Sequence, residues 1–178
     1  MEQKTNILFT QDQLLKRFEE LGKQISEDYK DKDLHVICLL SGGVYFFCSL
    51  TQFITIPMSC DFMKSSSYGT NRVSSGRVYI MKDIDMNIEN KDVLIIDDIC
   101  DSGRTFSYIT KMLENRNPRS IKTCCMLDKV NSREVDFKCD YVGFEIPNYF
   151  VYGYGLDLEY KCRNLPYICK VDTDEESK

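Results

Sequence analysis

The segment Val93–Thr105, which reads VLIIDDICDSGRT, constrains the fold of this chain more than any other stretch. An uninterrupted apolar run leads directly into two acids, Asp97 and Asp98, and a third acid then precedes a serine-glycine turn and a helical pattern. Short continuous apolar runs are typical of strands that are buried on both faces of a parallel sheet. Because open parallel sheets bind ligands beyond the carboxyl ends of their strands, we expect these polar residues to form a binding site.

The rest of the chain alternates in the same way between short apolar runs and helical patterns. The first helix is predicted to begin at Thr10, with Gln13 completing a capping box. Its apolar stripe, at spacings of three and four, consists of Leu14, Phe18, Leu21, Ile25 and Tyr29. The other predicted elements are helices at Val44–Phe53 and from Thr105, and strands at His35–Leu40, within Ile54–Met63, and at Arg77–Met81, Asp92–Ile96, Ile121–Leu127 and Tyr141–Ile146.

These elements predict an α/β fold, with a mostly parallel twisted sheet, helices on both faces, and a small hood formed by the N- and C-terminal segments. The chain has 178 residues, so we expect a single domain. Its core is predicted to span about 34–146, its hood about 1–12 and 147–170, and a disordered tail 171–178. The serine-rich segment Lys64–Gly76 is predicted to be a mobile loop, and Asp97–Arg104 a polar loop.

The charge balance bears on the class of partner. The net charge is −5, whereas proteins that bind a nucleic-acid backbone present a basic surface. No apolar run approaches the ~18 residues of a membrane span. The N-terminus does not resemble a signal peptide. We therefore expect a cytoplasmic protein whose partners are small molecules, not nucleic acid or membrane.

The cysteines are numerous and are not spaced like metal ligands. There are nine of them, an odd number, and no C-x-x-C pair occurs. Several lie inside apolar runs, which favours reduced, buried thiols in a cytosolic protein. A disulfide scaffold or a zinc site is disfavoured because the ligand spacing and the histidines for one are lacking. A cysteine-based redox module stays open as an alternative.

The turn Ser102-Gly103 before the helix has the composition of an anion site. The first amides of a helix point outward, and the helix dipole adds positive potential there. Gly103 permits close approach of the backbone, and Ser102 and Thr105 add hydroxyl donors. The sequence lacks the spacing of a Walker loop, so this pattern indicates a monophosphate cradle. An N-capping serine beside solvated aspartates would be the structural alternative.

The acids Asp97 and Asp98 need a separate explanation, because a phosphate gains nothing from neighbouring carboxylates. Carboxylates accept strong hydrogen bonds from vicinal ribose hydroxyls. They also hold Mg²⁺, directly or through water. The segment therefore indicates a site for a ribose 5-phosphate with Mg²⁺ as cofactor.

At this point the sequence resembles a known family. VLIIDDICDSGRT is similar to the phosphoribosyl-pyrophosphate motif of type I phosphoribosyltransferases. From the first helix to Lys170, the chain resembles the hypoxanthine-guanine phosphoribosyltransferases in several further pieces and in the same order. Those pieces are LLSGGVYFF (Leu39–Phe47), DFMKSSSYG (Asp61–Gly69), MLDK (Met126–Lys129), VGFEIPNYFVYGYGLD (Val142–Asp157) and YKCRNLPYI (Tyr160–Ile168).

The resemblance implies roles for the phosphoribosyl side of the site. Asp97 and Asp98 would hold the ribose hydroxyls, and Asp101 would act as general acid/base near N7 of the purine. The 5-phosphate would be bound by Asp101, Ser102, Gly103, Arg104 and Thr105. Pyrophosphate would contact Arg163 and also Ser41-Gly42, in a turn that can include a non-proline cis peptide.

The resemblance also implies the purine side and the metal. Lys129 would donate to O6 of a 6-oxopurine, and Phe150 would stack on the base. Without the family, a surface lysine and a core aromatic are the simpler interpretations. The backbone of Val151 would read the exocyclic edge. The purine-binding set is completed by Ile99 and Asp157, and the Mg²⁺ set consists of Asp157, Asp97 and Asp98.

Ser67 and Tyr68 would belong to a lid that closes over the reacting centre and excludes water. A catalytic role for His35, the only histidine, is disfavoured because it begins a core strand and no G-x-S-x-G elbow exists. The family further implies a homodimer or homotetramer.

Two departures from the family pattern stand out. Ser41 replaces the basic residue of many relatives, which bears on pyrophosphate binding. The pair Asp97-Asp98 replaces Glu-Asp, which bears on the ribose contact. Rival functions are a regulator that senses phosphoribosyl pyrophosphate or nucleotides, and an adenine- or pyrimidine-type transferase. Asp101 and the acidic charge disfavour the regulator, and Lys129 disfavours adenine.

Overall fold

The computed structural model describes residues 6–66 and 78–171. Its helices are α1 (Gln11–Asp28), α2 (Gly43–Thr51) and α3 (Arg104–Glu114), with a short 3₁₀ turn at Val130–Ser132. Its strands are β1 (Asn6–Phe9), β2 (Leu34–Leu40), β3 (Met58–Ser66), β4 (Tyr79–Lys82), β5 (Asp92–Cys100), β6 (Ser120–Asp128), β7 (Tyr141–Glu145), β8 (Val151–Tyr152) and β9 (Ile168–Lys170).

The main sheet has six strands in the order β4-β3-β2-β5-β6-β7. Every neighbouring pair is parallel except β3 and β4, which are antiparallel. The predicted mostly parallel α/β sheet is therefore confirmed. The strands β2, β5 and β6 end side by side at the carboxyl edge, where ligands bind to open sheets of this kind.

Helices cover both faces of this sheet. On β2, Val36 and Cys38 pack in one apolar cluster with α1 and α2, whereas Ile37 and Leu39 pack in another with α3. Successive side chains of a strand point to opposite faces, so a continuous apolar strand supplies both clusters. No helix in the described part of the chain is long and apolar enough to span a bilayer.

Helix α1 forms as its sequence predicts. Thr10 accepts from the amide of Gln13, and the Gln13 side chain accepts from the amide of Thr10 at 2.9 Å. The predicted apolar stripe is buried from Leu14 to Tyr29. The ring of Phe18 lies 5.6 Å from that of Tyr154, so α1 joins the main sheet to the C-terminal segment.

A second, antiparallel sheet of three strands has the order β1-β9-β8. Its strands come from the two terminal segments that were predicted to form the hood. The rings of Phe9 and Phe144 stack 4.1 Å apart and connect this sheet to the main one. This sheet therefore lies against the main sheet and holds the chain that leads into β8.

Two predicted loops are partly strand. β5 continues through Asp97 to Cys100, because Asp97, Ile99 and Cys100 pair with residues of β6. β3 continues to Ser66, because Lys64–Ser66 pairs with β4. In both places polar side chains on a paired strand were misread as a loop. The rest of the predicted mobile loop, including Ser67 and Tyr68, lies outside the described residues, as does most of the predicted tail.

Candidate active site

A polar cavity opens at the carboxyl end of β5. Its volume is about 230 Å³, and it contains most of the residues that the sequence assigns to the ribose phosphate. The strand supplies one wall and the turn into α3 supplies the other. The lining consists of Asp97, Asp98, Ile99, Cys100, Asp101, Ser102, Gly103, Thr105 and Phe106.

The turn before α3 depends on glycine. Gly103 is the N-cap of α3 and has a φ of 79°, a left-handed conformation that L side chains rarely adopt. A Cβ there would also lie 3.1 Å from Phe137 Cβ and 3.2 Å from Arg133 Cδ. Ser102 Oγ accepts from the amide of Arg104 at 3.4 Å. The first-turn amides of α3, which have no acceptor within the helix, border this turn and suit an anion.

Asp97 and Asp98 stand next to each other in this wall. The amide of Asp98 donates to Asp97 Oδ1 at 2.9 Å. Burial raises the pKa of both carboxyls, and the charge of Asp98 raises the pKa of Asp97 further. A bound cation, or hydroxyl groups that donate hydrogen bonds, would stabilise the ionised form of these two carboxyls.

The turn after β2 packs directly on this acid pair. The Leu40–Ser41 peptide is cis, within the turn where the resemblance implied such a bond. A Cβ on Gly42 would lie 1.7 Å from Asp98 Oδ2, and one on Gly43 would lie 3.3 Å from the Cα of Asp97. Ser41 is exposed at the start of this turn. Glycine is therefore required at position 42 if the turn and the carboxylate are to occupy adjacent space.

The C-terminal segment places the cationic side chain of Arg163 beside the turn that follows β2. A Cβ on Gly155 would lie 2.2 Å from the carbonyl oxygen of Gly42, so the two backbones touch. Arg163 donates to the Gly155 carbonyl at 2.5 Å and to Asp157 Oδ1 at 2.7 Å. Its charge lowers the pKa of Asp98 against the larger effect of burial. Arg163 and Asp157 thus pair with each other beside the glycine turn.

On the other side of the cavity, Lys129 and Asp101 form an ion pair. Lys129 Nζ lies 3.2 Å from Asp101 Oδ2, and the amide of Lys129 donates to the carbonyl of Cys100 at 2.9 Å. The Lys129 side chain is only 9% exposed, whereas that of Asp101 is 51% exposed. The lysine is therefore not the surface residue that the sequence alone suggested. It extends from the end of β6 to the turn that follows β5.

The other residues assigned to the purine lie on neighbouring segments. Ile99 is partly buried on β5 and pairs with Leu127 of β6. Phe150 is 56% exposed, so it is not a core aromatic. Val151 begins β8 and is buried. The amide of Ile146 donates to the Asp128 carbonyl at 2.9 Å and thereby ties the chain leading to Phe150 to the end of β6.

The chain is similar to known proteins over nearly its whole length. Residues 5–159 match the phosphoribosyl transferase domain family. The hypoxanthine-guanine phosphoribosyltransferase of Streptococcus thermophilus (strain CNRZ 1066) is 44% identical over 162 residues, covering 91% of this chain and 90% of the relative. The chain belongs to the hypoxanthine-guanine phosphoribosyltransferase family. The predicted family membership is thus confirmed.

Solved structures of this family have the same fold. A hypoxanthine phosphoribosyltransferase from Staphylococcus aureus is 41% identical, with a TM-score of 0.90 over 97% of this chain and 94% of its own. A hypoxanthine phosphoribosyltransferase from Trypanosoma cruzi, in complex with the product IMP, is 36% identical, with a TM-score of 0.90 over 98% and 97% of the two chains. The type I phosphoribosyltransferase fold is therefore confirmed.

A Mg²⁺ ion would suit the carboxylates of this family member. Mg²⁺ is commonly held by one or two carboxylates together with substrate phosphates, not by a full protein cage. Residues 6–66 and 78–171 contain no cluster of three or more histidine, cysteine or acidic side chains that could hold a metal. Asp157 uses Oδ1 for Arg163 and Oδ2 for the amide of Tyr160, at 3.0 Å. Each carboxylate oxygen keeps a further lone pair, so the donor set fits an ion shared with substrate.

Two further polar groups, one partly buried and one buried, were given no role from the sequence. Arg133 donates to backbone carbonyls on both sides of the Lys129–Asp101 pair. Asp61 on β3 is buried and accepts from the amides of Phe62, Asp85 and Met86, and these hydrogen bonds lower its pKa although its burial acts to raise it. An acid between the apolar residues of the predicted strand segment Ile54–Met63 was the available signal for Asp61. Nothing in the local sequence marks Arg133.

Proposed function

We propose that the protein is a purine salvage enzyme that transfers the phosphoribosyl group of phosphoribosyl pyrophosphate to hypoxanthine, guanine or both, giving IMP or GMP and pyrophosphate. Xanthine is the third candidate base. The observation that carries the proposal is the Lys129–Asp101 pair, 3.2 Å apart, at the edge of the polar cavity. It sets a cation and a carboxylate together where a 6-oxopurine would meet the sugar.

The sugar phosphate would occupy the cavity at the end of β5. Its 5-phosphate would accept from the first-turn amides of α3 and from the hydroxyls of Ser102 and Thr105. The ribose hydroxyls would donate to Asp97 and Asp98, which supports a role for this partly buried acid pair. The side chain of Arg104 forms an ion pair with Glu134 at 2.5 Å, so its contribution to the phosphate is made chiefly by its backbone.

The pyrophosphate would lie between the turn Ser41-Gly42 and Arg163. The close contact of Gly42 with Gly155, and the bond from Arg163 to the Gly155 carbonyl, support this placement. Arg163 would exchange its bond to Asp157 for bonds to the leaving group, since a guanidinium matches phosphate geometry. Ser41 offers a hydroxyl where many relatives offer a charge, so we propose that Arg163 carries most of the pyrophosphate affinity.

The base would lie over the Lys129–Asp101 pair. Lys129 would leave Asp101 and donate to O6, and the freed carboxylate of Asp101 would hold or take the proton at N7. N9 of the base would then form a bond to the anomeric carbon while the bond to pyrophosphate breaks. Positive charge that develops on the sugar would be stabilised by the nearby acids.

The ring of the base would stack on Phe150, whose exposure leaves a free aromatic surface. The backbone of Val151 and the side chains of Ile99 and Asp157 would define the edge of the pocket. Mg²⁺, when held by Asp157, Asp97 or Asp98 together with the substrate, would supply charge neutralisation for the departing pyrophosphate. We propose that Ser67 and Tyr68, outside the described residues, act as a lid that excludes water.

We also propose a compartment and an oligomeric state for the enzyme. All nine cysteines lie within the described residues and are free thiols, which supports a reducing compartment such as the cytoplasm. Exposed apolar side chains on α2, β3 and β4, among them Tyr45, Phe62 and Met81, support a homodimer or homotetramer. Light scattering of the purified protein would measure its mass in solution.

The proposed function is tested by mixing the protein with phosphoribosyl pyrophosphate, Mg²⁺ and one of hypoxanthine, guanine, xanthine or adenine, with nucleotide measured by chromatography. We expect product with hypoxanthine or guanine, none with adenine, and none when Mg²⁺ is chelated. If phosphoribosyl pyrophosphate binds but no base gives product, the protein is instead a sensor of this ligand.

A further inference from the structure

We propose that Arg133 is a positioning residue that fixes the turn carrying Asp101 relative to the strand end carrying Lys129. This inference rests on the proposed function, because it assigns a task in that reaction. Arg133 touches neither the Asp101 carboxylate nor the Lys129 ammonium group in the hydrogen bonds that it makes. It acts on the backbones that carry them.

The contacts of Arg133 converge on the two sides of the reacting centre. Its Nη1 donates to the carbonyl of Cys100 at 2.9 Å and to that of Asp101 at 2.5 Å. The same nitrogen lies 3.2 Å from the carbonyl of Lys129. One guanidinium nitrogen thus links the end of β5 to the end of β6, from which the paired side chains extend.

The guanidinium is itself held in place from two directions. Its Nη2 donates to the carboxylate of Asp128, and its Nε donates to the Phe137 carbonyl at 3.1 Å. The side chains of Arg133 and Asp128 are 15% and 4% exposed. A buried charge needs such pairing, and the fixed planar fork of arginine lets one group bridge several acceptors. The ion pair with Asp128 therefore sets where the fork points.

The segment that follows Arg133 supports the phosphate turn as well. The amide of Glu134 donates to the Ser102 carbonyl at 3.0 Å, and Glu134 pairs with Arg104. These contacts are made by the backbone and by Glu134, so they persist when the Arg133 fork is removed. Removing the fork should loosen Asp101 and Lys129 more than it loosens the phosphate turn.

The variant Arg133→Lys keeps the positive charge of the side chain and removes its planar guanidinium group. Lysine keeps a cation for Asp128, but its single nitrogen cannot replace Nη1, Nη2 and Nε together. We expect kcat with hypoxanthine to fall at least ~10-fold, while the dissociation constant for phosphoribosyl pyrophosphate changes less than ~3-fold. Arg116→Lys is the matched control, because Arg116 is also ion-paired, to Asp83 at 2.6 Å, but lies beyond the C-terminal end of α3.

The decisive experiment is a double-mutant cycle with Asp101→Asn. In the wild-type background that change should lower kcat by ~10²–10⁴-fold, the range for a lost acid/base group. In the Arg133→Lys background Asp101 is already misplaced, so the same change should cost at least ~10-fold less than it does in the wild type. Should Arg133→Lys fail to fold, Asp128→Asn enters the cycle instead, since it keeps the fork but removes its anchor.

The measured Asp101→Asn penalties distinguish a positioning role of Arg133 from a purely structural one. A smaller Asp101→Asn penalty in the Arg133→Lys or Asp128→Asn protein, with no such change in Arg116→Lys, establishes the positioning role. Equal penalties in all backgrounds mean that Arg133 is only structural and overturn the inference while the proposed function stands. A wild-type protein that makes no nucleotide overturns the proposed function itself, and the inference with it.

Discussion

Lys129 Nζ lies 3.2 Å from Asp101 Oδ2, and this ion pair joins the ends of the neighbouring parallel strands β5 and β6. The lysine is nearly buried and the aspartate is half exposed. A base that offers an oxygen to Lys129 and a ring nitrogen to Asp101 would replace the contact that each makes with the other. Purines with an oxo group at C6 and a protonated ring nitrogen match this pair, whereas adenine presents an amino group to the ammonium.

Replacing Asp101 with asparagine should damage turnover more than binding. The change keeps the shape of the side chain and removes its ability to take a proton. We expect kcat to fall by ~10²–10⁴-fold, with the dissociation constant for IMP changing only a few-fold. Steady-state kinetics and calorimetry measure the two quantities. Asp85→Asn, at an exposed aspartate on another loop, is the control. Equal losses in turnover and affinity would show that Asp101 is a binding residue.

Lys129→Met should weaken discrimination between bases. It keeps an apolar stem of similar length and removes the donor to O6. A hydrogen bond to a charged group contributes about 1.5–3 kcal/mol, so kcat/KM for hypoxanthine should fall by roughly 10–100-fold. The change for adenine should be smaller, which lowers the ratio between the two bases. Lys23→Met, at an exposed lysine on α1, should leave that ratio unchanged. An unchanged ratio in the Lys129 variant would remove the lysine from base recognition.

Asp97→Asn should lower the activity of the enzyme and raise its stability near neutral pH. Burial and the charge of Asp98 raise the pKa of Asp97 above its unfolded value, so the folded state holds this proton more tightly. The free energy of unfolding should therefore decline as pH rises from the ordinary carboxyl range through the raised pKa. Asparagine removes that decline and should raise the melting temperature near neutral pH by about 2–4 °C.

The melting temperature of wild type and Asp97→Asn, measured from pH 4 to 8, tests this sign. The gap between the two proteins should widen as pH rises, while the variant loses nucleotide synthesis because one ribose contact is gone. A gap that narrows with rising pH would mean that the carboxylate is stabilised, not strained, in the folded enzyme.

Gly42→Ala should create a clash with one identified partner. The backbone of Gly42 is right-handed, with a φ of −65°, so alanine is not strained there in itself. Its Cβ would lie 1.7 Å from Asp98 Oδ2. Overpacking of this kind costs about 1–3 kcal/mol of unfolding free energy. In an Asp98→Ala background the cost should nearly vanish, which denaturant unfolding of the four proteins would measure. A cost that persists without Asp98 would place the conflict elsewhere.

Local signals in the sequence predicted most of the fold. The capping box at Thr10 and the stripe that follows it predicted α1, because both depend on residues within a few positions of each other. The apolar runs of β2, β5 and β6 predicted a sheet covered on both faces. The end of β5 was wrongly predicted to be a loop because Asp97 and Asp98 are polar. In the structure this segment remains a strand, since its pairing with β6 continues.

The candidate site was less accessible to sequence reasoning, because its contacts join distant segments. The turn at Gly42 meets Asp98 and Gly155 only after the chain folds. The role of Arg133 depends on backbone carbonyls that lie up to 33 residues away in the sequence. No sequence motif marks a backbone carbonyl as the acceptor of such a hydrogen bond. The pairing of Arg163 with Asp157 was also hidden, although the family resemblance named both residues.

Comparing kcat/KM for hypoxanthine with that for adenine tests the central claim most directly. The wild type and Asp101→Asn would be purified in parallel from a host without its own purine phosphoribosyltransferases, with Mg²⁺ and phosphoribosyl pyrophosphate in excess. We predict IMP and pyrophosphate in equal amounts from the wild type, little product from Asp101→Asn, and no product from adenine. Equal rates in both proteins, or a preference for adenine, would contradict transfer to a 6-oxopurine at this site.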